Sequence, residues 1–297
     1  MMSVLFQDLQ GDLRINEPLA KYTSWRVGGI AQRFYRPANV QDLANFLSQL
    51  PVAEPVLWLG LGSNLLIRDG GFAGTVIATA GTLQEMKIRD NSIYAEVGVY
   101  CSKFAKQAAR AGLSGAAFLA GIPGTLGGAL AMNAGAHQSE IWPLVTEITT
   151  VDRQGTLRQR VPADFTVSYR HVEIPAGEWF VSATLTLEKG DSKQEVAEIK
   201  ALLKRRNESQ PTNQPCAGSV FRNPENDFAG RLIESSGLKG LSIGGAHISD
   251  KHANFIVNDG TATAADIESL IYLTQQKIEL TQGVKLQPEV HVVGELA

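Results

Sequence analysis

The segment Gly121-Ile122-Pro123-Gly124-Thr125-Leu126-Gly127-Gly128-Ala129, continued by Asn133-Ala134-Gly135-Ala136, constrains this chain more than any other. Glycine adds no side chain to a core and loses more backbone freedom on folding than any other residue. Core filling therefore does not account for a run this rich in it. The run reads as backbone laid close against a large planar or phosphorylated ligand, with tight helix–sheet packing as the alternative. The candidate contacts are Gly121, Ile122, Pro123, Gly124, Gly127, Gly128, Asn133, Gly135 and Ala136.

A second glycine motif lies upstream, where Leu57-Trp58-Leu59 leads into Gly60-Leu61-Gly62-Ser63-Asn64-Leu65-Leu66. A buried strand running into Gly-x-Gly-Ser-Asn offers successive backbone N–H groups, a concavity suited to an anion. Ser63 and Asn64 add side-chain donors. Gly60, Gly62, Ser63, Asn64 and Leu65 are the candidate contacts, and pyrophosphate is the natural guest. The motif departs from the dinucleotide fingerprint, because the third glycine would fall at Leu65 and no helix is expected to follow. Taken alone, a structural turn explains it equally well.

Composition narrows the function. The 297 residues leave room for two or three domains, and 44% hydrophobic against 19% charged residues suits a core-forming chain. A net charge of −3 provides no polycation, so phosphate-backbone binding to nucleic acid has little support. Cys101 and Cys216 are too far apart and too few for a disulfide framework. His137, His171, His247, His252 and His291 lack metal-ligand spacing, so no metal is expected. The first ten residues show no signal-peptide pattern. No apolar run reaches the roughly 18–20 residues a membrane span needs. A soluble, cytoplasmic chain without membrane insertion is expected.

Periodicity predicts strands over 56–62, 74–79, 93–99, 145–152, 156–162 and 179–188, and a helix over 101–111 stopped by Gly112. Beyond Lys189 the character changes. Ser192 with Glu195 forms a capping-box pattern ahead of Val196, Ile199, Leu202 and Leu203 at helical spacing. A short helix over 228–236 and a strand over 254–257 follow, then a long helix capped by Thr263 and Asp266. The last strand, 286–293, puts Leu286, Val290 and Val292 on one face and Gln287, Glu289 and His291 on the other. The class is α+β.

Several stretches match one family in order. They are Tyr22-Thr23-Ser24-Trp25-Arg26-Val27-Gly28-Gly29, both glycine motifs, Ser168-Tyr169-Arg170 and Ala217-Gly218-Ser219-Val220-Phe221-Arg222-Asn223-Pro224. Gly244-Gly245-Ala246-His247, Lys251-His252-Ala253-Asn254-Phe255-Ile256-Val257-Asn258 and Leu286-Gln287-Pro288-Glu289-Val290 complete the set. Over residues 16–294 the chain resembles the UDP-N-acetylenolpyruvoylglucosamine reductases. The resemblance implies an FAD-binding domain of the vanillyl-alcohol-oxidase (PCMH) type followed by a smaller αβ substrate-binding domain. The implied boundaries are an N-terminal segment 1–20, an FAD domain 21–190 of two αβ subdomains, and a substrate domain 195–297 whose last strand, 286–294, returns toward the active site. The short span between Arg170 and Ser219 resembles the subclass lacking an extra tyrosine-bearing loop. Arg222 and Gln287 stand where the family often has Lys and Glu.

The resemblance also implies a chemistry. Non-covalent FAD, reduced by NADPH, passes hydride from N5 to C3 of UDP-N-acetylglucosamine enolpyruvate, giving UDP-N-acetylmuramate for peptidoglycan. Negative charge develops at C2 and spreads into the substrate carboxylate. Arg170, whose planar fork suits a carboxylate, and Glu289 then stabilise the enolic intermediate, and Ser219 protonates C2. Tyr169, Asn223 and Lys251 are the implied substrate contacts, and the enzyme is expected to be a monomer. Two other readings stay open: a different flavin oxidase on the same domain, and a non-catalytic module that binds a sugar nucleotide.

Overall fold

The computed structural model describes residues 6–297; residues 1–5 of the expected N-terminal segment lie outside that range. Strands and helices alternate along the chain in an α+β arrangement. Two compact units divide it, and neither is continuous in sequence. One holds the chain up to Arg14, then Arg33–Leu61 and Gly74–Lys204; the other holds Ile15–Gln32, Gly62–Ala73 and Arg205–Ala297. The expected division was linear. Segments 15–32 and 62–73, expected within or just ahead of the FAD domain, group instead with the C-terminal third.

The first unit is built on a five-stranded antiparallel sheet in the order Leu157–Arg160, Val145–Asp152, Glu178–Thr186, Ser92–Glu96, Met86–Arg89. Helices α1 (Val40–Gln49) and α2 (Cys101–Arg110) contribute to its apolar core. On α2 the expected face is the buried one, carrying Phe104, Ala105, Ala108 and Ala109. Gly112 follows at φ +70°, a left-handed turn that glycine adopts without cost.

The long glycine segment is partly core. It contains helix α3 (Leu126–Ala131), whose Leu126, Ala129 and Leu130 are buried. A Cβ added to Gly127 would lie 2.9 Å from Val97 Cβ. At that position the glycine admits close packing of α3 against Val97, just past the strand Ser92–Glu96, in line with the alternative reading. Helix α4 (Ser192–Ser209) starts as expected, but its cap is one residue earlier. The Asp191 carboxylate accepts the Gln194 N–H at 2.9 Å, a stronger acceptor than the Ser192 hydroxyl.

In the second unit, helices α5 (Ala229–Ser235) and α6 (Ala264–Gln282) accompany a three-stranded antiparallel sheet, Ser242–Ile243, Ala246–Ile248 and Ile256–Asn258. Trp25 explains why segment 15–32 belongs here. It is fully buried in this unit's apolar cluster. Its indole N–H donates to the Ile256 carbonyl at 2.8 Å, and Asn258 Nδ2 donates back to the Trp25 carbonyl at 2.7 Å. Segment 62–73 is held by a parallel pairing of Leu65–Ile67 with His291–Val293. Regular pairing at the C-terminus is confined to those three residues, shorter than expected. The alternation still holds in burial, because Leu286 and Val290 are buried while Gln287 is exposed.

The N-terminus of α6 is capped twice. Thr263 and Asp266 form the expected capping box. Asp69 then accepts the Ala264 and Ala265 N–H groups, each at 3.0 Å, beside an Arg68–Glu268 pair closed at 2.7 and 2.9 Å. Replacing Asp69 with Ala leaves two helix donors without that partner. It is expected to lower stability by about 1 kcal/mol, read as a shift in urea midpoint at unchanged slope. An unshifted midpoint would mean that the Thr263 box alone holds this helix end.

Candidate active site

Arg170 and its neighbours form one group in the first unit. The strands Thr166–Ser168 and His171–Glu173 make a hairpin in which Ser168 opposes His171, so Tyr169 and Arg170 are its two-residue turn. Arg170 has φ +55°, a conformation that residues other than glycine seldom adopt. Its Nη2 donates to the Gly135 carbonyl at 2.8 Å and its Nη1 to the Asn133 carbonyl at 3.4 Å. The guanidinium carbon lies 5.0 Å from the centroid of the Tyr169 ring, and Tyr169 itself is 47% exposed. Asn133, also left-handed at φ +41° and buried, donates through Nδ2 to Glu140 Oε2 at 2.8 Å and to the Ser168 carbonyl at 3.2 Å. Asn133 thus ties the end of the glycine segment to the hairpin carrying Arg170. A cleft of about 330 Å³ is lined here by Gly135, Ala136, Glu140, Pro143, Tyr169 and Arg170, among others.

The two glycine motifs meet within the same unit. A Cβ on Gly60 would come within 2.6 Å of Thr125 Oγ1. Thr125 is the N-cap residue of α3, yet its hydroxyl makes no cap bond, is buried and has no hydrogen-bond partner. Next to it, a Cβ at Gly128 would find nothing nearer than that hydroxyl, at 4.0 Å. Ile122-Pro123-Gly124 forms the turn between Gly121 and Thr125. There the Gly124 N–H meets the Ile122 carbonyl at 2.9 Å, and the Gly124 carbonyl accepts from Cys101 N at 3.0 Å.

A second group lies in the second unit. After Gly62 (φ +64°) and Ser63, Asn64 Nδ2 donates to the Glu289 carbonyl at 3.0 Å, and the Asn64 carbonyl accepts from His291 N at 3.0 Å. Leu65 begins the paired strand. The Glu289 N–H donates to the Val220 carbonyl at 2.8 Å, which sets Ser219 and Glu289 on adjacent, hydrogen-bonded segments. Ser219 is half-buried and follows Gly218, which has φ +73° and open space where a side chain would stand.

The remaining candidates have local partners. Asn223 is exposed, and its Oδ1 accepts the Ala229 N–H at 3.1 Å, at the first residue of α5. Lys251 is exposed and its Nζ donates to the Asn207 carbonyl. Neither thiol is poised as a nucleophile. Burial pushes the Cys101 thiol up to about 12 despite its place at the start of α2, and burial also raises Cys216. Among the described residues no His, Cys, Asp or Glu cluster is arranged for a metal. No helix among them is long and apolar enough to cross a membrane. Two side chains the sequence did not single out belong to these groups: Thr125, and Glu140 as the partner of Asn133. Their types were visible, but the partners that define them are not neighbours in sequence.

Comparison with known proteins decides the family. Residues 31–159 match a model described as an FAD binding domain, and residues 210–293 match the C-terminal domain of UDP-N-acetylenolpyruvoylglucosamine reductase. A UDP-N-acetylenolpyruvoylglucosamine reductase from Alkalilimnicola ehrlichii is 56% identical over 285 residues, 96% of each chain. One from Legionella pneumophila is 58% identical over 288 residues, 96% of this chain and 94% of that one. The chain belongs to the UDP-N-acetylenolpyruvoylglucosamine reductases. A crystal structure of the family's enzyme from Thermus caldophilus superposes with a TM-score of 0.82 at 31% identity, over 96% of this chain and 99% of that one. The residues present suit FAD, the group that the matched domain implies. The buried, unpartnered Thr125 hydroxyl, and the face of Gly128 that has nothing nearer than that hydroxyl, fit a flat, phosphate-bearing ligand.

The Gly60–Thr125 approach gives a two-residue test. Gly60→Ala should cost about 1–3 kcal/mol as overpacking. In a Thr125→Ala background, which removes the opposing oxygen, most of that cost should vanish. Thermal unfolding of the four proteins measures the coupling. Strictly additive costs would show that the two motifs do not limit each other.

Proposed function

We propose that this chain reduces UDP-N-acetylglucosamine enolpyruvate to UDP-N-acetylmuramate in peptidoglycan precursor synthesis, with NADPH as reductant and FAD as its non-covalent cofactor. The observation that carries the reading is near-complete coverage by reductases 56–58% identical to it. Both glycine motifs are accounted for by the FAD-binding half. Bound there, FAD would supply the redox chemistry, relaying hydride from NADPH to C3 of the enolpyruvyl group.

The chain's own residues do the rest. Arg170 is read as the group that holds the substrate carboxylate, since a guanidinium keeps its charge at any working pH and its fork matches two carboxylate oxygens. That carboxylate already carries one negative charge and gains more as C3 is attacked, so the contact strengthens toward the transition state and speeds the step. The hairpin-turn conformation of Arg170, with two N–H groups held by backbone carbonyls, supports this role, because it fixes the fork in advance. Ser219 is read as the proton donor to C2. A hydroxyl is a weak acid, but the enolic C2 is a strong base, and a donor held in line suffices. Glu289 is read as sharing the enolic charge with Arg170, which a carboxyl does when protonated or hydrogen-bonded. The hydrogen-bonded adjacency of the Ser219 and Glu289 segments supports assigning both to one step. Tyr169, Asn223 and Lys251 are read as substrate contacts. Because Asn223 Oδ1 already serves α5, its amide N–H groups are the ones assigned to the diphosphate. The enzyme is read as a cytoplasmic monomer.

Without oxygen, NADPH is expected to bleach the flavin and the UDP-sugar to restore its colour. In Ser219→Ala the bleaching should continue at the normal rate while recolouring slows by about 10²–10⁴-fold. Recolouring by oxygen alone would favour the oxidase reading and end this one.

A further inference from the structure

The segment Lys251–Asn258 stood out in the sequence, yet the proposed chemistry uses only Lys251 from it. Asn254 supplies a reason for the rest. It is 4% exposed, and it meets the Ser219 segment in three places. Its backbone carbonyl accepts the Val220 N–H at 2.9 Å. Its side-chain Oδ1 accepts the Phe221 N–H at 3.0 Å, and its Nδ2 donates to the Phe221 carbonyl at 2.8 Å. The amide thus imitates a neighbouring strand, satisfying both backbone groups of a residue that is itself buried.

The opposite edge of the same segment carries Glu289. The Val220 carbonyl accepts the Glu289 N–H at 2.8 Å, the Arg222 N–H donates to the Gln287 carbonyl at 2.9 Å, and Phe221 bridges Pro288. Residues 220–222 are therefore clamped between Asn254 on one side and residues 287–289 on the other. Loss of the Asn254 side chain would leave the Phe221 N–H and carbonyl buried and unpaired, at a cost that favours movement of this segment.

We infer that Asn254 is a positioning residue, setting the Ser219 hydroxyl against Glu289 for protonation of C2. The inference rests on the functional reading above. Asn254 touches no reacting atom; it acts through Val220 and Phe221. Its removal should act on the half-reaction that uses Ser219 and Glu289 and spare the one that does not. A role in stability alone would lower both half-reactions together, in proportion to folded or flavin-loaded protein.

The test is rapid-mixing kinetics on FAD-loaded wild type, Asn254→Ala and Asn254→Asp, each half-reaction taken separately without oxygen. In Asn254→Ala, bleaching by NADPH should stay within about two-fold of wild type. Recolouring by the UDP-sugar should slow about 10- to 100-fold, the size expected for a misplacement on the order of 1 Å. Asn254→Asp keeps the acceptor for the Phe221 N–H and loses the donor to its carbonyl. Protonation of the new carboxyl restores a donor, so its recolouring rate should climb toward wild type as pH falls, with bleaching unaffected. Equal loss in both half-reactions, or no loss in either, overturns the inference. If neither variant folds, amide hydrogen exchange on the wild-type holoenzyme decides. Phe221 and Glu289 amides that exchange only on global unfolding support the clamp, and rapid exchange at either refutes it. The wild-type arm keeps the two readings apart. Wild-type flavin that the UDP-sugar fails to recolour ends the functional reading and this inference with it; normal recolouring with indifferent variants ends the inference alone.

Discussion

The parallel pairing of Leu65–Ile67 with His291–Val293 is the contact on which the second unit's candidate site depends. It joins positions more than two hundred residues apart and sets what lies on either side of it. One residue before the paired strand, Asn64 accepts from the His291 N–H and donates to the Glu289 carbonyl. Glu289 in turn reaches the Val220 carbonyl, and Val220 follows Ser219. A glycine motif near the start of the chain and a glutamate near its end are in this way parts of one hydrogen-bonded ladder. Because the side-chain period of a strand is two, a register slip of one residue would move Glu289 to the opposite face and turn Val290 out of the apolar cluster. The buried Leu66, Leu286 and Val290 oppose that slip, so apolar burial sets the register and the register sets the carboxylate.

The first unit reaches a comparable fixity through backbone conformation. Arg170 and Asn133 both sit in the left-handed region, a placement that costs of order 1–3 kcal/mol for a residue other than glycine and persists only where its surroundings demand it. Here the surroundings do so reciprocally. The Asn133 carbonyl holds the Arg170 guanidinium, and the Asn133 side chain holds the carbonyl of Ser168, at the foot of the turn that carries Arg170. Glycine at either position would relieve the strain and remove the group that makes the position useful.

Local structure was legible where its cause is local. The face of α2, the Thr263–Asp266 box and the strand Val145–Asp152 follow from periodicity and capping chemistry within a few residues. Asp191 displaced Ser192 as a cap because two capable acceptors are adjacent and only geometry chooses between them. Within the glycine segment the two readings could not be divided residue by residue: a Cβ at Gly127 would meet Val97 at 2.9 Å, whereas one at Gly128 would find only the Thr125 hydroxyl at 4.0 Å, and nothing in the sequence separates the two. The discontinuous units were illegible for a stronger reason. Trp25 belongs to the second unit because its indole finds the Ile256 carbonyl, a partner that no window along the chain contains. Motif matching gathered Arg170, Ser219 and Glu289 into one list. It included Asn254 and Thr125 within matched stretches but gave neither a role, because their side chains acquire meaning only from what lies beside them.

A serine proton donor, as proposed for Ser219, makes such placement the central requirement. A general acid whose pKa lies near the working pH tolerates imprecise alignment, because driving force compensates for distance; a hydroxyl has little driving force to spend and must be in line. Thiols would be stronger acids, but burial raises both Cys101 and Cys216, and neither lies in the ladder with Glu289. Asparagine is well chosen to hold a hydroxyl-bearing segment in place. Its amide carries donor and acceptor at the spacing of a backbone peptide, adds no charge to a dry interior, and has no ionisation through which pH would loosen it. Asn254 and Asn64 stand on opposite flanks of the ladder bearing Ser219 and Glu289, each bonded to main-chain groups. On the proposed reading, the step that needs geometry more than acidity is held by neutral amides rather than by ion pairs, whose strength varies with salt.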